Sequence, residues 1–231
     1  MQIKDKRFWS LMVFALVAQV IGVWFYFIVF DEGTTARVLY AVVKITMLAL
    51  PIVFVGRIVK LRTLFAICSP KAAFSGLMAG IIMSAAVLAV YTGLFERGFL
   101  SKDFAEAIAD KIFAYGITEY YLYFAIFLSL LHSLFEEYYW RWFVFGGLRT
   151  RLSLKNAALI SSAGFSLHHF IVLYGFLPIA FVLPFGIAIG AAGYYWCVSY
   201  ERYRSVIPAW ISHALVDAAI MLVGYTVISW R

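Results

Sequence analysis

Nine ionisable side chains lie inside apolar stretches of this sequence that are long enough to cross a membrane. The stretch HSLFEEYYWRW, residues 132–142, carries two adjacent glutamates and an arginine. Burying charged groups in hydrocarbon costs free energy, so an intramembrane ionisable residue predicts a partner or a function. The nine residues are Lys44, His132, Glu136, Glu137, Arg141, His168, His169, His213 and Asp217.

Helical spacing separates the two glutamates. Glu137 and Arg141 are four residues apart, a spacing that favours an ion pair within one helix. Glu136 is rotated from Glu137 by about 100° on an α-helix and shares its face with His132, one turn earlier. We therefore predict a structural Glu137–Arg141 pair, and we predict that the Glu136 carboxylate is a candidate general base.

Two later stretches supply further histidines. The stretch FSLHHF contains His168 and His169, which an α-helix directs about 100° apart, so we expect only one of them to face a common point. The stretch HALVD places His213 and Asp217 one turn apart on one face. Such a pair could donate hydrogen bonds to a developing oxyanion, with Asp217 either protonated or orienting the imidazole.

The depth of these groups in the membrane follows from their distance to the nearest basic loop. At 1.5 Å per residue, Glu136 lies about 20 Å from that loop, His169 about 21 Å and His213 about 13 Å. The three side chains could therefore meet in one layer. This set predicts a site for a proton, a metal ion or a substrate.

Composition determines the class of protein that carries these groups. Of 231 residues, 65% are hydrophobic, 19% are aromatic and 13% are charged, whereas soluble domains are roughly 45–50% apolar. We predict an all-α polytopic transmembrane helix bundle, formed as a single integral-membrane domain over 1–231 with its catalytic helices within 120–229. The predicted spans, about seven in number, are 8–30, 38–56, 73–95, 120–147, 156–177, 179–200 and 206–229.

The formal net charge of +7 follows the loops of a membrane protein. Lys and Arg concentrate before the first predicted span and after the second, fourth and sixth, which predicts a cytoplasmic N-terminus and an external C-terminus. This distribution gives no reason to expect nucleic acid as a partner. The loop stretch DFAEAIADKIFAYG predicts an amphipathic interfacial helix, and GLMAG and GIAIG suit close helix crossings.

Three motifs in the C-terminal half carry a resemblance to a known family. EEYYWR, FSLHH and HALVD occur in that order, each on a predicted span. Together they resemble the CPBP family of CAAX proteases and bacteriocin-processing proteases, also called Abi, whose pattern is Glu-Glu-x-x-x-Arg, Phe-x-x-x-His and His-x-x-x-Asn/Asp. The first motif is the most specific of the three.

The resemblance implies peptide-bond hydrolysis within the membrane. Glu136 would activate the attacking water with the help of His169, and the histidine and aspartate of the last motif would stabilise the tetrahedral oxyanion. The glutamate–arginine pair would keep its structural role, and no cofactor is implied. We expect a protein or peptide substrate that is membrane-associated or prenylated and CAAX-like, and a multi-pass location in a prokaryotic cell membrane.

Other functions remain open from the residues alone. His132, Glu136, His169 and His213 could bind zinc with an open position for water, although the sequence lacks the His-Glu-x-x-His arrangement. The same groups could form the relay of a proton-coupled transporter. A non-catalytic membrane scaffold is the third alternative, and in that case Glu136 would be replaceable without loss of function.

Overall fold

In the computed structural model, nearly all of the described residues are helical. The described residues are 5–30, 34–54, 64, 68–99, 102–114 and 116–229, and they contain no β-strand. The predicted all-α helical membrane bundle is therefore confirmed. Four of the basic residues that underlie the predicted topology, Lys4, Arg57, Lys60 and Arg62, lie outside the described residues.

Ten α-helical segments follow one another within the described residues. They are α1 Asp5–Trp24, α2 Thr34–Phe54, α3 Pro70–Glu96, α4 Lys102–Ala114, α5 Tyr121–Ile126, α6 Ser133–Glu136, α7 Gly146–Leu148, α8 Leu154–Phe176, α9 Ile179–Tyr203 and α10 Ile207–Ile228. Three π-helical segments join or extend them: Phe25–Val29 after α1, Phe127–His132 between α5 and α6, and Glu137–Phe145 between α6 and α7.

Five of the described helices are long and apolar enough to cross a membrane. They are Asp5–Val29, Pro70–Glu96, Leu154–Phe176, Ile179–Tyr203 and Ile207–Ile228, and each overlaps a predicted span. In the predicted second span, α2 Thr34–Phe54 contains the shorter apolar stretch Ala41–Phe54. In the predicted fourth span, α-helical and π-helical segments alternate between Tyr121 and Leu148. The number of seven spans stays a prediction.

Several helix boundaries follow directly from capping residues. Ser69 precedes Pro70 and accepts a hydrogen bond from the Ala72 amide at 3.2 Å, so α3 begins with an N-cap and a proline in its first turn. Gly98 and Gly116 follow the ends of α3 and α4 with φ of 71° and 68°. This left-handed conformation is most accessible to glycine and is common after the last helical turn.

The chain forms two compact units. The first comprises Met1–Ile67 with Phe135–Val206, and the second comprises Cys68–Leu134 with Ile207–Arg231. Each unit therefore combines two separate stretches of sequence. The single integral-membrane domain over 1–231 stays a prediction.

In the first unit, helices α8 and α9 pack closely through the GIAIG stretch. The Ser166 hydroxyl donates a hydrogen bond to the Gly186 carbonyl at 2.6 Å. A side chain at Gly186 would overlap the Phe170 ring, and one at Gly190 would press on Ser166 at 3.3 Å. The small residues therefore allow the close helix crossing that the sequence predicts.

In the second unit, α3 and α10 form the corresponding close pair through GLMAG. A Cβ atom at Gly76 would overlap the Pro208 backbone, and one at Gly80 would lie 2.6 Å from Leu215 Cδ1. The indole of Trp210 donates a hydrogen bond to the Leu130 carbonyl at 2.9 Å, which joins α10 to the π-helical segment Phe127–His132. Helix α4 also packs on α10.

Candidate active site

The segment around Glu136 is fixed to its neighbours by hydrogen bonds between helices. Glu136 is the last residue of α6, and the π-helical segment Glu137–Phe145 follows it directly. Nearly all residues of this segment are buried, including most of its aromatic side chains. Three bonds hold it to α1, α2 and α8: Tyr139 Oη to Ala15 O at 2.6 Å, Tyr138 Oη to Leu48 O at 3.0 Å, and Ser161 Oγ to Trp140 O at 3.1 Å.

Glu136 lies beside a histidine from α8. The carboxylate is only 3% exposed, and its Oε1 atom lies 3.3 Å from Nε2 of His168. His168 is 6% exposed. A buried carboxylate in contact with an imidazole can exchange a proton with it or be oriented by it, which are the properties that acid–base catalysis requires.

The His168 ring is held rigidly between its neighbours. It stacks in parallel on Trp140, with ring centroids 5.5 Å apart and an interplanar angle of 2°. Phe165 meets it edge-on, and its Nδ1 lies 3.4 Å from the Gly164 carbonyl. An ionised carboxylate only accepts hydrogen bonds, so His168 bonds to Glu136 in the form whose Nε2 carries a proton and donates it to Oε1.

His169 also approaches Glu136, which differs from the expectation that adjacent histidines cannot face a common point. One ligand atom each of Glu136, His168 and His169 lies within 4.8 Å of the others, and the two imidazole centroids are 4.0 Å apart. The two side chains leave the helix in different directions, but each ring is long enough to reach the same carboxylate. His169 Nδ1 donates to the Phe165 carbonyl at 2.8 Å, and its ring is half-buried.

The predicted ion pair between Glu137 and Arg141 is present. Arg141 Nη1 lies 3.1 Å from Glu137 Oε1, and both side chains are almost completely buried. The guanidinium carbon lies 4.2 Å from the Phe165 ring centroid and 4.8 Å from that of Trp196. Aromatic faces attract a cation electrostatically, so these rings add to the carboxylate in stabilising the buried charge.

The last motif lies on α10, in the second unit. His213 Nε2 is 3.6 Å from Asp217 Oδ1, so the predicted pairing over one turn is present. His213 is 3% exposed and the Asp217 side chain is 22% exposed. His132, the last residue of the π-helical segment Phe127–His132, is half-buried.

Among the described residues, Glu136, His168 and His169 form a group that could hold a metal ion. Each offers one oxygen or nitrogen atom, and these donor types suit zinc and related cations. The zinc set considered from the sequence named His132 and His213 instead of His168. Those two residues belong to the second unit, and the three-residue group forms without them.

Two features of the site are not evident from α-helical spacing. Glu136 lies at a junction between α-helix and π-helix, and π-helical turns are frequent at functional sites. Trp140 supplies the flat surface on which the His168 ring lies. The dense aromatic run after Glu136 is the one sequence signal that could have suggested unusual helix packing.

The fold and the site define a class of protein: a helical membrane protein with a buried acid–histidine centre. A family model described as type II CAAX prenyl endopeptidase Rce1-like matches residues 118–219. The matched segment contains all three motifs, so it confirms the resemblance to the CPBP family of CAAX proteases. This is a protease family, which supports a peptide hydrolase. No curated protein and no solved structure matches the chain.

Proposed function

We propose that this protein is an intramembrane endopeptidase in which Glu136 activates a water molecule. The observation that carries the proposal is the buried contact between Glu136 and His168, with His169 beside them, inside the segment that the protease family matches. A buried carboxylate next to two imidazoles suits proton transfer better than it suits simple helix packing.

The proposed reaction begins with proton transfer from water to the Glu136 carboxylate. The resulting hydroxide attacks the scissile carbonyl carbon and forms a tetrahedral oxyanion. The C–N bond then breaks, and the leaving amine takes up the proton held by Glu136. In this scheme the rigid His168 orients the carboxylate, while the more exposed His169 contacts the water.

Roles for the remaining motif residues are proposed from the family pattern and their local pairing. The His213–Asp217 pair supplies hydrogen bonds to the oxyanion, with the carboxyl group of Asp217 protonated or orienting the imidazole. The Glu137–Arg141 pair maintains the shape of the catalytic helix from a position of complete burial.

The proposed substrate is a membrane-associated protein or peptide with a prenylated, CAAX-like C-terminus. The name of the matched family refers to such prenyl substrates, and a buried site on apolar helices suits a substrate that partitions into the bilayer. We propose that the protein is a multi-pass protein of a prokaryotic cell membrane.

The test is cleavage of an internally quenched, farnesylated CAAX peptide by the purified protein in lipid nanodiscs. Glu136→Gln should lower kcat by at least about 100-fold, the range for loss of a general base. The matched control is Glu119→Gln, the same chemical change at an exposed carboxylate near the start of the matched segment. This control should cleave like the wild type.

Three outcomes would contradict the proposal. Full activity of Glu136→Gln would remove this residue from the mechanism, and loss of cleavage with a zinc chelator would replace the glutamate mechanism with a metal-dependent one. If the wild type cleaves no peptide but carries protons across the membrane after reconstitution into vesicles, the transporter alternative would be favoured.

A further inference from the structure

Lys44 on α2 is an intramembrane cation that none of the three motifs includes. Its neighbours Val43 and Met47 are buried, whereas Ile45 is 63% exposed on the outer face of the helix. Lys44 itself is partly buried between these faces. A lysine in this position requires a compensating group because an ammonium is costly within hydrocarbon.

A hydrogen bond between helices places Lys44 near the catalytic carboxylate. Tyr138 donates to the Leu48 carbonyl at 3.0 Å, which joins α2 to the segment immediately after Glu136. Lys44 is one turn before Leu48 on α2, and Glu136 is two residues before Tyr138. This bond brings the turn of α2 that carries Lys44 beside the turn that carries Glu136, within the range over which an ammonium and a carboxylate attract each other.

The two adjacent glutamates each lie near a basic side chain when Lys44 is included. Glu137 is neutralised by Arg141 within its own helix. Glu136 contacts His168, which is neutral unless it is protonated. In its protonated form Lys44 supplies a second positive charge near Glu136, so the two carboxylates are matched by two cations. Removing one partner of a buried charge pair is strongly unfavourable because the other charge is left without compensation.

We propose that Lys44 is a positioning residue whose ammonium attracts the Glu136 carboxylate and orients it beside α8. Its effect on catalysis rests on the proposed function, since a general base must be oriented toward the water that it activates. Its electrostatic coupling to Glu136 does not rest on that function. Lys44 acts on Glu136 rather than on the substrate.

The first test is a double-mutant cycle of thermal unfolding, which requires no substrate. Four proteins are compared: the wild type, Lys44→Met, Glu136→Gln and the double variant. Lys44→Met should lower Tm in the wild-type background and lower it by less than half as much in the Glu136→Gln background. Lys155→Met, which removes an exposed lysine on α8, should have the same effect in both backgrounds.

Equal losses of Tm in the two backgrounds would overturn the proposal, since they would assign Lys44 a packing role independent of Glu136. If Lys44→Met fails to fold, recovery of folding in the double variant with Glu136→Gln supports the coupling. Failure of both Lys44→Met proteins to fold would also overturn it.

The second test uses cleavage of the farnesylated peptide. Lys44→Met should lower kcat about 10-fold or more with KM little changed, as for residues that orient a catalytic group, and Lys44→Arg should restore most of the rate because it retains the charge. An equal loss in both variants would contradict a charge-based role. The unfolding cycle gives its result even if the wild type cleaves no peptide, so the two proposals can fail separately.

Discussion

Two adjacent glutamates of this protein have different surroundings, and we propose different roles for them on that basis. Glu137 is paired with Arg141 under the rings of Phe165 and Trp196. Glu136 turns to α8 and contacts His168. The spacing of residues predicts this division, because the residue four positions before the arginine is Glu137 and not Glu136.

At the residue scale, Arg141→Met should lower the free energy of unfolding by about 3–5 kcal/mol, since it leaves the buried Glu137 carboxylate without its cation. The double variant Glu137→Gln with Arg141→Met should recover part of this loss. Unfolding in mixed detergent micelles measures both values. A loss below about 1 kcal/mol for the single variant would show that the pair contributes little to the helix.

The two histidines should separate by kinetics. His169→Ala should lower kcat about 100-fold or more, as expected for a group that takes part in proton transfer. His168→Ala should have a smaller effect, and His168→Gln should retain more activity than His168→Ala because an amide can still hydrogen-bond to Glu136. The reverse order of the two alanine variants would exchange the roles proposed for these residues.

At the element scale, helices that are regular and apolar were predictable, and the active-site helix was only partly so. Structural roles can be inferred from residue type at the Ser69–Pro70 start of α3 and in the GLMAG and GIAIG stretches. The π-helical segments around Glu136 were not predicted, because every angle was derived from an α-helix. That assumption also led to the wrong expectation that His168 and His169 could not share one target.

The α3–α10 crossing gives a direct test of element packing. Gly76→Val should lower the free energy of unfolding by about 2 kcal/mol or more, since its Cβ would overlap the Pro208 backbone, which cannot move aside as a flexible side chain can. Gly93→Ala on the same helix is the control, because its Cβ meets nothing within 4 Å. It should be neutral or stabilising by up to about 1 kcal/mol. Equal effects of both changes would rule out a close crossing at Gly76.

At the scale of the whole molecule, composition established the membrane class, whereas the arrangement of the spans depends on loops. An odd number of spans places the two termini on opposite sides of the membrane, as the alternating basic loops predict. Residues Cys68 and Cys197 are the only cysteines in the sequence. Cys197 is completely buried within α9, and Cys68 lies just before α3.

Cysteine labelling tests this topology. In a Cys197→Ala background, a membrane-impermeant maleimide should label Cys68 from the cytoplasmic side. In a background without native cysteines, the same reagent should label Ser229→Cys from the external side. Burial raises the pKa of the Cys68 thiol, partly offset by a hydrogen bond from the Ala73 backbone. Because the thiolate is the reactive form, labelling of Cys68 should accelerate as the pH is raised. Labelling of both positions from one side would contradict an odd number of spans.

The measurement that tests the central claim most directly is a single turnover in ¹⁸O-labelled water with the enzyme in excess over the farnesylated peptide. Activation of water by Glu136 predicts one ¹⁸O atom in the new carboxyl group of the product and none in the Glu136 carboxyl group, as read by mass spectrometry of both. Label in Glu136, or a product formed without label in the first turnover, would show that the carboxylate itself attacks the peptide bond and would contradict this account.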